Sequence, residues 1–326
     1  MKAVICTKYG PPEVLKLAEV EKPVLKENEV LIKIHATTCH IGDTKIRSFN
    51  VPFWQKIPFR LYLGIVKPRQ PILGMELAGE IESVGRNVTR FKEGDRVFAC
   101  TGFVFGAYAE YICMTENSKD ISKGMVAHMP INLNWQQAAA GITSGGITAL
   151  TGLRKGKIRD GHKVMIYGAS GSVGSYAVQL AKHFGTNVTA VCSTANLDMV
   201  RLLGADHVID YTREDIFKNG RDYNLVFDAV DKLPSSLGKQ LLLKDGYFGK
   251  VGAEGKVTID DFYFLKDLAE AGELKVIIDR VYTLDEIVEA HRYVEKGHKK
   301  GHVVINVTGE SEALSECMQP DNGDEI

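Results

Sequence analysis

The chain has 326 residues, enough for two domains at about 150 residues each, and its 44% hydrophobic and 25% charged residues exclude a disordered body. Formal net charge is −1. The last 18 residues carry six acids and no Lys or Arg, so the rest holds a surplus of only +5, too small for a dedicated nucleic-acid binder. Residues 1–115 read mostly as strands and turns: VLIKI at 30–34, LAGEIESV at 77–84, then short β-rich runs at 96–99 and 108–113 between Gly, Asp and Asn turns. From Pro130 the texture changes. Helical patterns at 135–140 and 146–153 precede the apolar strand KVMIY at 163–167, a helix at 172–184 and a second strand at 187–192. A helix at 197–203 and strands at 207–209 and 225–229 continue the alternation, which implies βαβ units and a parallel sheet. A helix at 234–244, a fifth strand at 246–252, a helix at 261–271, a late helix at 284–294 and a late strand at 303–307 complete the order. The tail from Gly309 reads as disordered.

Six cysteines stand at 6, 39, 100, 113, 192 and 317 with no CxxC spacing, which reads as reduced thiols in the cytoplasm. The uncharged windows 129–153 and 164–181 are too rich in Gly, Ser, Asn and Gln for membrane spans, so no membrane partner is expected.

The strongest chemical signal is Gly168-Ala169-Ser170-Gly171-Ser172-Val173-Gly174, which follows KVMIY and opens the helix SVGSYAVQLAKHF. One glycine serves the sharp turn, one the approach of a pyrophosphate, one the close packing of helix on sheet. The helix N-terminus adds free N–H groups and a positive dipole end. An NAD-specific site places a carboxylate at the end of the second strand. Here that strand runs into Cys192-Ser193-Thr194-Ala195-Asn196, and no acid occurs before Asp198. The hydroxyls and amide of Ser193, Thr194 and Asn196 suit a 2′-phosphate, with Arg201 close along the helix, so the expected cofactor is NADPH. The plainer reading is that Ser193 and Asn196 cap the next helix.

AGEIESVG, EGDRVFA, GAYAEY, GASGSVGSYAVQLAKHFG and GADHVIDYT together resemble the medium-chain dehydrogenase/reductase superfamily, in its zinc-less, quinone-oxidoreductase-like branch. The resemblance implies an α/β fold: a doubly wound Rossmann parallel sheet plus an irregular, β-rich GroES-like catalytic domain. It places the catalytic domain at 1–125 with a return segment at 276–308, and the NADPH-binding domain at 126–275, with the active site in the cleft. Tyr211 matches a position beside the adenosine, and Thr148 one beside the nicotinamide ribose. Zinc-containing relatives use a Cys, a His in a Gly-His-Glu run, and a further Cys or acid. This chain has Cys39 and Glu76, but the run reads Gly74-Met75-Glu76, so no metal is expected.

Without a metal, reduction of a quinone or enone needs a hydrogen-bond donor and a proton source. His40 stands where the branch often carries Asn. It donates to the nicotinamide amide or a substrate oxygen, or it only packs on the cofactor while solvent supplies protons. Tyr62, in the variable loop FWQKIPFRLYLGIVK, is a phenolic donor or a partly buried wall. Asp43 holds the loop or caps a turn. The basic turn KGHKKGH at 296–302 reads as solvated.

One departure concerns the sheet edge. Only three residues separate the fifth strand from the strand-prone 257–259, too few for a parallel crossover. The sixth strand is therefore missing or pairs differently, which puts the usual homodimer in doubt. The expected function is zinc-independent, NADPH-dependent reduction of quinones or α,β-unsaturated carbonyl compounds. The rivals are a zinc alcohol dehydrogenase and a non-catalytic, crystallin-like NADPH-binding protein.

Overall fold

The computed structural model describes residues 1–50, 56–217, 220–252 and 255–309; the acidic tail read as disordered lies, beyond Gly309, outside them. β1 (Lys2–Cys6) and β2 (Leu15–Glu19) form an antiparallel hairpin. β3 (Glu29–Thr38) is the spine of the first large sheet, its apolar side chains Val30, Ile32 and Ile34 fully buried at alternate positions. Two helices that the sequence reading left as turns follow it, α1 (Ile41–Ser48) and α2 (Lys56–Leu63). α1 starts because the His40 ring and the Asp43 carboxylate form a reciprocal capping box, and it stops where Phe49 turns left-handed at φ 53°. β4 (Glu76–Val84), β5 (Arg96–Cys100), β6 (Tyr111–Thr115) and β7 (Met125–His128) complete this part of the sheet.

α3 (Trp135–Ala139) is capped by Asn134 and Gln137 and runs through a π turn into α4 (Ile147–Lys155). Then come β8 (Lys163–Tyr167), α5 (Ser172–His183), β9 (Asn187–Cys192), α6 (Leu197–Leu202), β10 (His207–Asp210), β11 (Tyr223–Asp228), α7 (Ser235–Gln240) and β12 (Leu242–Lys250). All five strands are parallel, in the order β10-β9-β8-β11-β12. The order reverses between β8 and β11, so the crevice at their carboxyl ends is where such sheets take ligands.

α8 (Ile259–Glu270), β13 (Ile278–Thr283), α9 (Ile287–Glu295) and β14 (His302–Asn306) bring the chain back. β14 pairs antiparallel with β3, Val304 opposite Thr38, and closes the seven-stranded sheet β13-β14-β3-β4-β5-β7, with β6 also on β3. Both chain ends therefore build one sheet, with the α/β layer between them in sequence.

Residues 257–259 are not a strand. Thr258 caps α8 in a reciprocal box with Asp261, and Ile259 is already helical. Local capping overrides the β-propensity of Val, Thr and Ile. Among the described residues β12 is the edge of the parallel sheet.

Candidate functional site

The three glycines of the turn after β8 differ in what surrounds them. Gly168 is left-handed at φ 76°, and its N–H and that of Ala169 both donate to the Val191 carbonyl at 3.0 Å. A Cβ on Gly174 would lie 2.1 Å from the Gly168 carbonyl oxygen, so the helix sits directly on the turn. Gly171 is different. Its φ of −79° suits any residue, and a Cβ there would meet nothing nearer than 3.5 Å. The space above Gly171 faces the first turn of α5, whose leading N–H groups have no carbonyl within the helix; Ser175 N–H is the first to find one, on Gly171 at 2.9 Å.

The polar residues expected around a dinucleotide fall into linked groups. Asn196 Nδ2 donates to Ser170 Oγ at 3.0 Å and to Ser193 Oγ at 3.1 Å, which joins the glycine turn to the end of β9. Asn196 is only 7% exposed, yet its Oδ1 has no partner. A buried carbonyl oxygen without a donor is costly and points to a ligand hydroxyl or amide. Thr194 Oγ1 donates to Asp210 Oδ2. Asp210 was not singled out by sequence, although it ends β10. Thr194 and Thr212 hold its carboxyl below the usual range, and Arg213 lies 3.8 Å away. Arg201 pairs with Asp198 at 2.9 Å. Tyr211 is half exposed, its ring 6.4 Å from that of Tyr167. Thr148 lies half-buried on α4, where its carbonyl accepts from Thr151. Val173, half-buried, packs on the core beneath α5.

The turn expected to be solvated is not. Gly301 N–H donates to the Ser170 carbonyl at 2.9 Å and Ser172 Oγ donates to the Gly301 carbonyl at 2.8 Å. The Lys299 ammonium donates to that same carbonyl at 2.6 Å and to Ser172 Oγ. A cation thus stands at the positive end of the α5 dipole, with no described carboxylate in salt-bridge range. Burial pushes its pKa down to about 8, although Cys39, Asp279 and Glu76 pull the other way. His302 beside it is buried, its ring 5.5 Å from Tyr176. No local pattern marks Lys299, because its place depends on a contact 127 residues away in sequence.

Within the electrostatic reach of Lys299, His40 Nδ1 accepts the Gly42 N–H at 3.0 Å. Burial, helped by Lys299 and Lys45, lowers its pKa to about 4. At neutral pH the ring is therefore uncharged and carries its proton on Nε2, as a donor. Asp43 is fully buried; it accepts from His40 N–H at 3.1 Å and Gly74 N–H at 3.2 Å, and burial raises its pKa to about 7. Behind it runs a buried chain: Tyr108 bonds Asp43, His291 Nε2 lies 3.3 Å from the Tyr108 hydroxyl, and Arg47 Nε donates to His291 Nδ1 at 3.2 Å. Arg47, wholly buried, also donates to the Gly10 carbonyl and pairs with Glu295. Tyr62 is not drawn into this group. It stands exposed on the outer side of α2, its ring edge-on to Phe103 at 6.0 Å.

The zinc positions of relatives do not form a ligand set here. Met75, a soft neutral ligand, flanks Gly42 beside His40. The Glu76 carboxylate, 1% exposed, accepts from the hydroxyls of Thr38 and Thr143. Burial holds the Cys39 thiol protonated, with its pKa well above the usual value. Among the described residues no three His, Cys, Asp or Glu side chains converge.

Residues 26–131 match the alcohol dehydrogenase GroES-like domain and residues 257–305 match a zinc-binding dehydrogenase domain. The chain is 32% identical to the NADPH-dependent alkenal/one oxidoreductase, chloroplastic, of Arabidopsis thaliana, covering 94% of this chain and 79% of that one. It is likewise 32% identical to the chloroplastic quinone-oxidoreductase QR1 of Triphysaria versicolor, covering 94% and 98%. Among solved structures, the quinone oxidoreductase of Coxiella burnetii superposes with a TM-score of 0.78 at 28% identity, over 94% of this chain and 99% of that one. A doubly wound sheet with a glycine turn at its switch point, closed by a GroES-like sheet made from both chain ends, agrees with these relatives, and the chain belongs to the medium-chain dehydrogenase/reductase superfamily as an NAD(P)H oxidoreductase of the quinone and alkenal/one type.

Proposed function

We propose that the chain is a zinc-independent, NADPH-dependent reductase of quinones or α,β-unsaturated carbonyl compounds, acting on small molecules in the cleft between the two sheets. The observation that carries this reading is the glycine turn at the α5 N-terminus, where a Cβ on Gly171 would meet only ordinary contacts, with the Lys299 ammonium on Ser172 and a neutral His40 within the electrostatic reach of Lys299. The nicotinamide cofactor supplies the hydride when bound. The N–H groups of Ser172 and Val173, with Lys299, hold its diphosphate. Ser170 and the unpartnered Asn196 Oδ1 meet its adenosine ribose and Ser193 its 2′-phosphate, with Thr194 beside it once its hydroxyl turns from Asp210. Tyr211 lies along the adenosine and Thr148 by the nicotinamide ribose. His40 Nε2–H donates to the nicotinamide amide or to the substrate oxygen. With a pKa near 4 the ring has no spare proton at neutral pH, so the proton that completes reduction comes from solvent. Tyr62, exposed on the outer side of α2, takes no part in this reading.

Asp210 ends β10 and not β9, so the carboxylate that would hold a ribose diol at the end of the second strand is still lacking, and Asp210 itself is engaged by Thr194, Thr212 and Arg213. NADPH is therefore expected to bind at least several-fold tighter than NADH. Ser193→Asp should reverse the order by repelling the phosphate and holding the ribose diol; titration showing tighter NADH binding by the wild type would contradict this.

The misfit of Cys39, Met75 and Glu76 as ligands leads to a second expectation. Dialysis against a strong chelator should leave activity unchanged, whereas stoichiometric zinc lost together with activity would overturn the metal-free reading.

Weak or altered self-association is expected, since residues 257–259 enter α8 and do not supply the further edge strand through which relatives join two sheets. Light scattering at micromolar concentration should show a single chain or a weak dimer formed through a smaller or different surface. A tight dimer with a continuous sheet through residues 256–260 would be the contrary result. A reducing compartment, which we take to be the cytoplasm, fits the free thiols Cys6, Cys39, Cys100, Cys113 and Cys192.

A further inference from the structure

α2 and the loop after it carry a surface that neither the cofactor nor the cleft uses. The inner side of α2 is accounted for: Phe59 and Leu63, four residues apart, pack with Phe49, Phe105, Ile46 and Met75. The outer side is apolar as well. Ile57, Leu61, Tyr62, Ile65 and Val66 are between 61% and 73% exposed, and the Tyr62 ring reaches Phe103, itself exposed beside Val104. Soluble monomers rarely leave so many large apolar side chains together in water without a partner.

The charges around this surface are of one sign. From 56 to 70 the chain reads KIPFRLYLGIVKPRQ, with Lys56, Arg60, Lys67 and Arg69 and no Asp or Glu, in a protein whose net charge is −1. All four cations are exposed, and no described carboxylate lies within ion-pair distance of Arg60, Lys67 or Arg69. A protein partner with an apolar patch alone would not select this combination. Apolar side chains standing beside exposed cations are what an anionic bilayer surface recognises, the former entering the headgroup boundary and Lys67 and Arg69 facing its negative potential.

The geometry points to α2 and residues 65–69 as a docking surface for an anionic lipid bilayer. The contact is with the surface of the bilayer; among the described residues no helix is long and apolar enough to cross it. The sequence expectation of no membrane partner is amended by this proposal for a surface contact. The position of the patch gives it a use. Met75 packs under α2 and also flanks Gly42 beside His40, so one layer of side chains separates the docked face from the cleft. Substrates that partition into lipid would enter where the enzyme touches it; this last clause rests on the proposed reductase function, while the docking does not.

The test is co-sedimentation of the full chain with vesicles of mixed phosphatidylglycerol and phosphatidylcholine, and with phosphatidylcholine alone. The wild type should partition at least tenfold more to the anionic vesicles, and molar salt should remove most of the difference. Leu61→Asp with Ile65→Asp should lower binding at least tenfold. Lys67→Gln with Arg69→Gln, which leaves the apolar face intact, should lower it about fivefold or more per cation removed. Thermal midpoints and NADPH affinities equal to wild type would show that the variants are folded. Equal partition to both vesicle types, or variants that bind like the wild type, would overturn the proposal. So would a wild type that sediments as two chains and becomes one in Leu61→Asp/Ile65→Asp, since the patch would then join copies of the protein.

Discussion

Gly171→Asp is expected to abolish NADPH binding while the protein stays folded. The two halves of that expectation come from different measurements on the same residue. Folding survives because Gly171 has an ordinary φ of −79° and a Cβ would find its nearest neighbours at 3.5 Å and 3.8 Å. Binding fails because the new carboxylate occupies the space over the α5 N-terminus, where a diphosphate would sit. Two like charges about 4 Å apart repel by about 4 kcal/mol at an effective dielectric near 20, so affinity should fall by at least about 100-fold before steric exclusion is counted. Gly174→Ala makes the contrast: its Cβ would lie 2.1 Å from the Gly168 carbonyl oxygen, so that change should cost stability first. Titration calorimetry with a parallel melting curve checks both; a folded Gly171→Asp protein with unchanged affinity would remove the glycine turn from the site.

Lys299→Met is expected to weaken NADPH binding by about 10–100-fold, the value of charge-assisted bonds of about 1.5–3 kcal/mol. The free protein should melt no lower than the wild type. Its ammonium is desolvated, stands at the positive end of α5 and lacks a carboxylate in range, so the cation costs energy until an anion arrives. The pH dependence follows with a definite sign. In the free protein Lys299 has a pKa of about 8, and a bound diphosphate raises it, so binding takes up a proton. Affinity is full below pH 8 and falls as pH rises above it. Lys299→Met should show no such fall. Wild-type affinity in the variant, or identical pH profiles, would place the ammonium outside the cofactor site.

What the sequence disclosed was local. KVMIY followed by three spaced glycines and an amphipathic helix has its meaning within about twenty residues, and the strand bounds 163–167 and 187–192 are those of β8 and β9. That the strand-prone 257–259 could not run parallel beside the fifth strand was also legible, since a crossover has a minimum length; among the described residues they enter α8. α1 was hidden because its cap is a histidine, an uncommon choice, though Asp43 three residues on was a usable sign. The site's other missing parts depend on distant chain. Lys299 acquires its role only when β14 pairs with β3 and lays residues 299–302 on the glycine turn. Asp210 is set beside Thr194 by the pairing of β10 with β9. The buried chain from Arg47 through His291 and Tyr108 to Asp43 draws on residues 244 positions apart. No window of sequence contains such contacts, and each one bears on the charge or position of a group in the cleft.

The central claim, a reductase that needs no metal, is tested most directly by following NADPH oxidation with chelated protein against a panel of quinones, enones and simple aldehydes. The account predicts steady oxidation with quinones or enones and a much slower rate with saturated aldehydes. Tight NADPH binding with no oxidation by any member of the panel would contradict it.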